Sequence, residues 1–162
     1  MTTWLTQDAY DRLKSEYEHL SGDGRKAIVA RIEAAREEGD LKENGGYHAA
    51  REEQGKLEAR LKQLRHLLET AQVGAPPAAD GTAQVGHVVD VTFVGGALDG
   101  ETERFLLGSR EQAGDHTINV FSPQSPLGGA VLGQQVGSAV TYALPNGKQL
   151  TVRLDSSEPF SD

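Results

Sequence analysis

Apolar residues recur at steps of three and four through the first part of the chain and then at every second position, so the period divides it into two regions. Tyr10, Leu13, Tyr17 and Leu20 continue into Ile28, Ile32 and Ala35 as one stripe, which predicts helix over residues 5–38. Ser21-Gly22-Asp23-Gly24 interrupts it. Each glycine there weakens a helix by about 1 kcal/mol relative to alanine. A kink or short break is expected, with Ser21 or Asp23 capping the resumed helix. Residues 47–71 predict a second helix, whose seam is Leu57, Leu61, Leu64, Leu68 and Ala71 in heptad steps. Its other faces carry Arg51, Glu52, Glu53, Lys56, Glu58, Arg60, Lys62 and Arg65, a solvated surface of mixed charge. Two stripes joined by a short turn make an antiparallel coiled-coil hairpin. At 1.5 Å per residue the arms would span roughly 48 and 37 Å.

The reversal is Gly39-Asp40-Leu41-Lys42-Glu43-Asn44-Gly45-Gly46. Gly39, Gly45 and Gly46 accept left-handed backbone angles and are expected to let the chain turn. Asp40 and Glu43 then sit at the far end of a long rod. A rod offers no concavity for an enzyme pocket. It is suited to delivering its tip into something else.

Beyond the second helix, Pro76 and Pro77 stop helical structure, and 74–87 reads as a linker of small residues. Val89, Val91 and Phe93, then Phe105 and Leu107, alternate as strands do around the turn Gly95–Gly100. Thr117–Phe121 reads as a third strand, and Ser125–Gly133 as a short helix with Pro126 in its first turn. Ala139–Leu144 and Gln149–Leu154 make a second hairpin around Pro145-Asn146-Gly147-Lys148. The predicted organisation is a hairpin at 1–73 with its acidic tip at 39–46, a linker at 74–87, and a small α+β domain of about five strands and one helix at 88–162. Trp4 is expected to be a core anchor where the hairpin meets that domain.

Composition narrows the function classes. The chain lacks cysteine, which excludes disulfides and thiolate metal sites, and no apolar run is long enough to span a membrane. The first residues lack the basic-then-apolar order of a secretion signal, so a cytoplasmic protein is expected. The net charge is −8. Residues 1–72 hold 12 basic against 14 acidic residues, and residues 73–162 hold 4 against 10. Neither part is the clustered cationic surface that phosphate binding needs, so a protein partner is expected to supply the main affinity.

Two motifs carry a resemblance. Ala35-Arg-Glu-Glu-Gly-Asp-Leu-Lys-Glu-Asn44, followed by Tyr47-His-Ala-Ala-Arg-Glu-Glu-Gln54, is similar to the signature of the bacterial Gre transcript-cleavage factors. Ser122-Pro-Gln-Ser-Pro-Leu-Gly-Gly-Ala-Val-Leu-Gly133 resembles the C-terminal motif of that family. The resemblance implies an FKBP-like C-terminal domain that docks on bacterial RNA polymerase through Ser122, Pro123, Ser125, Pro126 and Leu127. It implies that the hairpin enters the secondary channel and that the polymerase's own active centre cuts the 3′ end of backtracked nascent RNA; the chain itself is expected to be a monomer. By the same resemblance, the tip acids are Asp40 and Glu43, while Arg36, Arg51 and Tyr47 lie where the extruded RNA would pass. Two-metal phosphodiester hydrolysis uses ions roughly 3.5–4 Å apart. Magnesium favours hard oxygen ligands, so Asp40 and Glu43 would complete a Mg2+ site held jointly with the polymerase, and the free protein would bind none. Asp40 would help hold the ion and Glu43 would orient or deprotonate water, without a firm division of roles. Gly45-Gly46 replaces the Ala-Glu of many relatives, and Arg25-Lys26 replaces their Arg-Pro.

Other readings stand beside this one. Acids at a hairpin turn also serve as helix caps, arginines as solvated charges, and Ser-Pro pairs as turn chemistry. Tyr47 reads equally as a packing residue, and His48 lacks a second histidine at helical spacing. A binder that occupies the channel and inhibits the polymerase is the alternative function. A prolyl isomerase has only fold analogy behind it, and residues 88–160 contain no tryptophan to floor such a pocket.

Overall fold

The computed structural model describes residues 3–39 and 43–161. Two compact units form, one from Tyr10–Ala71 and the other from Met1–Ala9 with Gln72–Asp162.

The first unit is helical. Helix α1 (Gln7–His19) runs through a π-helical segment, Leu20–Gly24, directly into α2 (Arg25–Arg36). The expected break is absent. The Arg25 amide donates to the Leu20 carbonyl five residues back, so the insertion is absorbed as one wide turn. Neither Ser21 nor Asp23 caps the resumed helix, because no helix end exists there to cap. A Cβ on Gly24 would stand 3.7 Å from Leu57 Cδ1, which places this turn against the second arm.

Helix α3 (Gly45–Thr70) is that second arm. Leu13, Ile32 and Ala35 are buried in this unit together with Ala50, Leu57, Leu61, Leu64 and Leu67. Leu67 takes the buried place expected of Leu68, which is only half-buried. A straight helix of 3.6 residues per turn drifts from a strict heptad, and the seam shifts by one residue near its end. Ion pairs tie the arms outside the seam. Arg60 makes a two-pronged contact with Glu16, at 3.0 Å from Nε and 2.7 Å from Nη2. Arg25 does the same with Glu58 at 2.8 Å and 2.8 Å, and Arg31 pairs with Glu53. The hydrogen bond from Arg25 holds the Glu58 carboxyl below the usual glutamate range.

The second unit is built on a five-stranded sheet. Its strands are β3 (His87–Phe93), β4 (Thr102–Leu107), β5 (Asn119–Phe121), β6 (Ala139–Ala143) and β7 (Gln149–Pro159). They lie in the order β5-β4-β3-β7-β6, parallel only between β4 and β5. Short helices α4 (Arg110–Ala113) and α5 (Pro126–Val131) complete it. One core joins Val89, Val91, Phe105, Leu107, Val152 and Leu154 with Leu127 and Val131 of α5. Leu106, Ala113 and Phe160 form a smaller cluster. Because Phe105, Leu106 and Leu107 are all fully buried, β4 is covered on both faces. Phe105 and Phe121 meet edge to face at 5.0 Å inside the core.

Strand β7 runs five residues past its expected end at Leu154. A bulge opposite Asp90 and Val91 resets its alternation, so Ser157 instead of Ser156 pairs with Val89. His87 is also fully buried, and its ring is held at both nitrogens, 2.7 Å from Ser157 Oγ and 2.7 Å from the Pro77 carbonyl.

The division of the chain differs from the expected one. Residues Trp4–Leu5 form β1, which pairs in parallel with β2 (Gln72–Val73), and both belong to the sheet unit. Ala83, within the expected linker, is fully buried in the main core, and its amide donates to the Gln134 carbonyl. Trp4 is half-buried, not a core anchor. Its indole Nε1 donates to the Gly74 carbonyl at 3.1 Å and its ring lies over Gly86, whose φ of 94° suits glycine. Thr6 caps the start of α1 through the Ala9 amide and is bound in turn by the buried side chain of Gln112.

Candidate functional site

Helix α2 ends at Arg36, and the Glu37 and Glu38 amides close its last turn on the carbonyls of Glu33 and Ala35. Gly39 follows with φ of 137°, an angle that favours glycine. Asp40, the first expected tip acid, lies outside the described residues, as do Leu41 and Lys42. Glu43, the second, occupies a turn and is exposed to solvent.

Asn44 then starts α3. Its Oδ1 accepts from the Tyr47 amide at 3.0 Å, an N-cap that supplies one of the unpaired amides of the first turn. Its Nδ2 donates across to the Ala35 carbonyl at 2.5 Å, at the end of α2. One side chain therefore spans both arms of the reversal. Gly45 and Gly46 form the first helical turn and neither has a positive φ, so among the described residues of the reversal Gly39 alone turns the chain by left-handed geometry. A Cβ on Gly46 would meet Asn44 Oδ1 at 3.4 Å, ordinary contact.

The flanking residues fall into two groups. Arg36 and Tyr47 come together, the guanidinium 5.9 Å from the ring centroid. Arg51 is exposed one turn further along α3 and donates to Gln54 Oε1 at 2.8 Å. His48 packs edge to face with Tyr47 at 5.6 Å. Among the described residues no three carboxylates or imidazoles gather into a metal cage. The donor that is described, Glu43, is an exposed hard oxygen ligand, which fits magnesium chemistry as a contribution to a site and not as a whole one.

The C-terminal motif builds a different surface, inside the sheet unit. Ser125 caps α5: its Oγ accepts from the Gly128 amide at 3.1 Å and donates to the Ser122 carbonyl at 2.6 Å. Pro126 occupies the first helical turn, where its missing amide costs nothing. Gly128 is dictated by space, since a Cβ there would lie 2.0 Å from the Ser122 carbonyl oxygen. Ser122 and Pro123 line a groove of about 790 Å³ with Trp4, Val85, Phe121 and Leu132. Leu127 is in the core at 5% exposure, and Ser125 spends its hydroxyl on the cap. Ser122 and Pro123 therefore line the groove half-buried, Pro126 is exposed beside them, and Ser125 and Leu127 hold the loop in place. Sequence reasoning missed the Asn44 bridge and Val85 in the groove, and placed Trp4 in a core instead of the groove wall; the Asn three residues before Tyr47, at a helix start, was the available signal for the first.

These features define a class: a helical-hairpin protein with a carboxylate-bearing reversal and a separate sheet unit bearing an apolar groove. The family description "Transcription elongation factor, N-terminal" matches residues 3–73, and "Transcription elongation factor, GreA/GreB, C-term" matches residues 78–155. The chain belongs to the GreA/GreB family of transcription elongation factors. It is 57% identical over 159 residues to "Transcription elongation factor GreA" of Streptomyces coelicolor, covering 98% of this chain and 94% of that one. To the protein of the same name from Rhodococcus erythropolis it is 53% identical over 159 residues, covering 98% and 95%. Among solved structures, GreA factor homolog 1 of Thermus thermophilus aligns over 98% of this chain and 99% of its own, with 24% identity and a TM-score of 0.45. No helix among the described residues is long and apolar enough to cross a membrane.

Proposed function

We propose that this protein enters the secondary channel of bacterial RNA polymerase with its hairpin tip and stimulates cleavage of backtracked nascent RNA by the polymerase active centre. The observation that carries the reading is the exposed Glu43 carboxylate on a turn that a cross-arm clamp holds, in a chain that matches GreA proteins along nearly its full length. The protein is not an enzyme by itself in this reading. Glu43, with Asp40, supplies oxygen ligands to a magnesium site that the polymerase completes, and Mg2+ there would stabilise the charge of the attacking and leaving oxygens. Glu43 orients the attacking water or takes its proton. Arg36, Arg51 and Tyr47 guide the extruded 3′ end, while Ser122 and Pro123 dock the sheet unit.

Inhibition of the polymerase is the less favoured function, since the full-length relatives carry the name of elongation factors. A stalled elongation complex separates the two. Added protein is expected to shorten the transcript and restore its extension. A transcript that keeps its length while nucleotide addition slows would contradict the proposal.

A further inference from the structure

We infer that Asn44 is a positioning residue for Glu43: it bridges the end of α2 and the start of α3, so that the carboxylate immediately before it meets the shared magnesium site from a fixed helix start. The inference deepens the cleavage reading and rests on it for its functional half. Three observations support it. The Asn44 amide is bonded on both sides, with Oδ1 on the Tyr47 amide and Nδ2 on the Ala35 carbonyl, and that pairing fixes its orientation because only the amide nitrogen can donate to a carbonyl. The bonds join the end of α2 to the start of α3, and Glu43 is the residue directly before the bridge. The same Ala35 carbonyl also accepts from the Glu38 amide, so the clamp lands where α2 already terminates.

The chemistry explains why the residue is asparagine. A cap alone needs an acceptor, which aspartate or serine would supply. A bridge to a carbonyl needs a donor as well, and the asparagine amide supplies acceptor and donor from two separate atoms, where a serine hydroxyl would have to supply both from one oxygen. Carboxylates that complete a metal site owe affinity to the groups that orient them. Without the clamp, the cost of ordering Glu43 falls on the moment of cleavage.

The test compares Asn44→Ala, Asn44→Asp and the unchanged chain in two measurements. The first is hydrogen exchange in the free protein. Asn44→Ala should speed exchange of the Tyr47 amide roughly fivefold, as loss of a cap does, while the amides around Leu61 and Leu64 stay unchanged. The second is transcript cleavage in stalled elongation complexes over a series of Mg2+ concentrations. Asn44→Ala should raise the Mg2+ needed for half-maximal cleavage roughly tenfold, the lower end of what loss of an outer group that positions a metal ligand costs, with unaltered competition for polymerase. Asn44→Asp keeps the acceptor and loses the donor, so it should protect the Tyr47 amide yet still raise the Mg2+ requirement. Unchanged Mg2+ dependence in both variants would overturn the positioning role, and unchanged exchange in Asn44→Ala would overturn the clamp. If the unchanged chain cuts nothing, the cleavage reading fails, and the exchange result alone judges the clamp.

Discussion

The guanidinium of Arg36 stands 5.9 Å from the centroid of the Tyr47 ring, so the last residue of α2 rests on the first turn of α3. Two residues assigned to RNA guidance are thus each other's partners in the free protein. Tyr47→Phe keeps the ring face and should leave the hairpin as stable as before. Tyr47→Leu should cost about 0.5–1 kcal/mol, as loss of an exposed cation–π contact does. Denaturant unfolding followed by helical circular dichroism reads both. A phenylalanine as damaging as leucine would show that the hydroxyl, and not the ring, matters.

The seam of the hairpin predicts an order of damage. Leu64 is fully buried and Leu67 is 8% exposed, while Leu68 is only half-buried. Leu64→Ala should destabilise by about 2–5 kcal/mol, the range for an emptied core site. Leu67→Ala should follow it, and Leu68→Ala should cost least. If Leu68→Ala proved more harmful than Leu67→Ala, the strict heptad would be the better description.

Gly128 predicts an indirect loss of docking. Its alanine variant would put a Cβ 2.0 Å from the Ser122 carbonyl oxygen, a backbone atom that cannot swing aside. The loop bearing Ser122 and Pro123 must then move or unfold. Gly128→Ala should lower the melting temperature of the sheet unit and weaken polymerase binding. Gly129→Ala, with its nearest neighbour at 3.1 Å, should be milder. Equal effects would remove the steric explanation.

Acid stability has a named contributor. Asp90 accepts from Arg104 at 2.8 and 3.0 Å and from Ser156 at 2.8 Å. The Arg104 hydrogen bond leads in holding its carboxyl below the ordinary value of 3.8. A group whose folded value is depressed stabilises the fold above its unfolded value, and that contribution fades as pH falls through the folded one. The loss therefore begins near the ordinary value and is completed below it. Asp90→Asn should lower stability at neutral pH and flatten the part of the acid decline that Asp90 causes. Parallel curves for the two proteins from pH 5 down to pH 3 would exclude Asp90 as a source.

Much of this was legible in the sequence, for reasons tied to particular residues. Leu57, Leu61 and Leu64 report a helix seam because burial repeats with the turn, and all three are buried. Ser125-Pro126 and Asn146-Gly147 encode local geometry, and both act as their chemistry dictates, with Asn146 Oδ1 accepting from the Lys148 amide at 2.9 Å. Other features were hidden because packing decides them. The glycines at 22 and 24 have poor helix propensity, yet the continuous stripe and the contact with Leu57 carry the helix through as a π turn. Strands β1 and β2 are two residues each, too short for alternation to show. The bulge that turns Ser157 inward depends on a partner strand far along the chain. Glycines 45 and 46 read as turn formers, whereas the cap at Asn44 recruits them into α3. The assignment of Asp40 and Glu43 as tip acids rests on the motif alone, and the Asn44 bridge beside Glu43 is visible only in the geometry.

The most direct measurement is RNA cleavage in a stalled elongation complex with Asp40→Asn and Glu43→Gln combined in one chain. The account predicts that this variant leaves the transcript intact while displacing the unchanged protein from polymerase at similar concentrations. Transcript shortening at the normal rate by the double variant would contradict it.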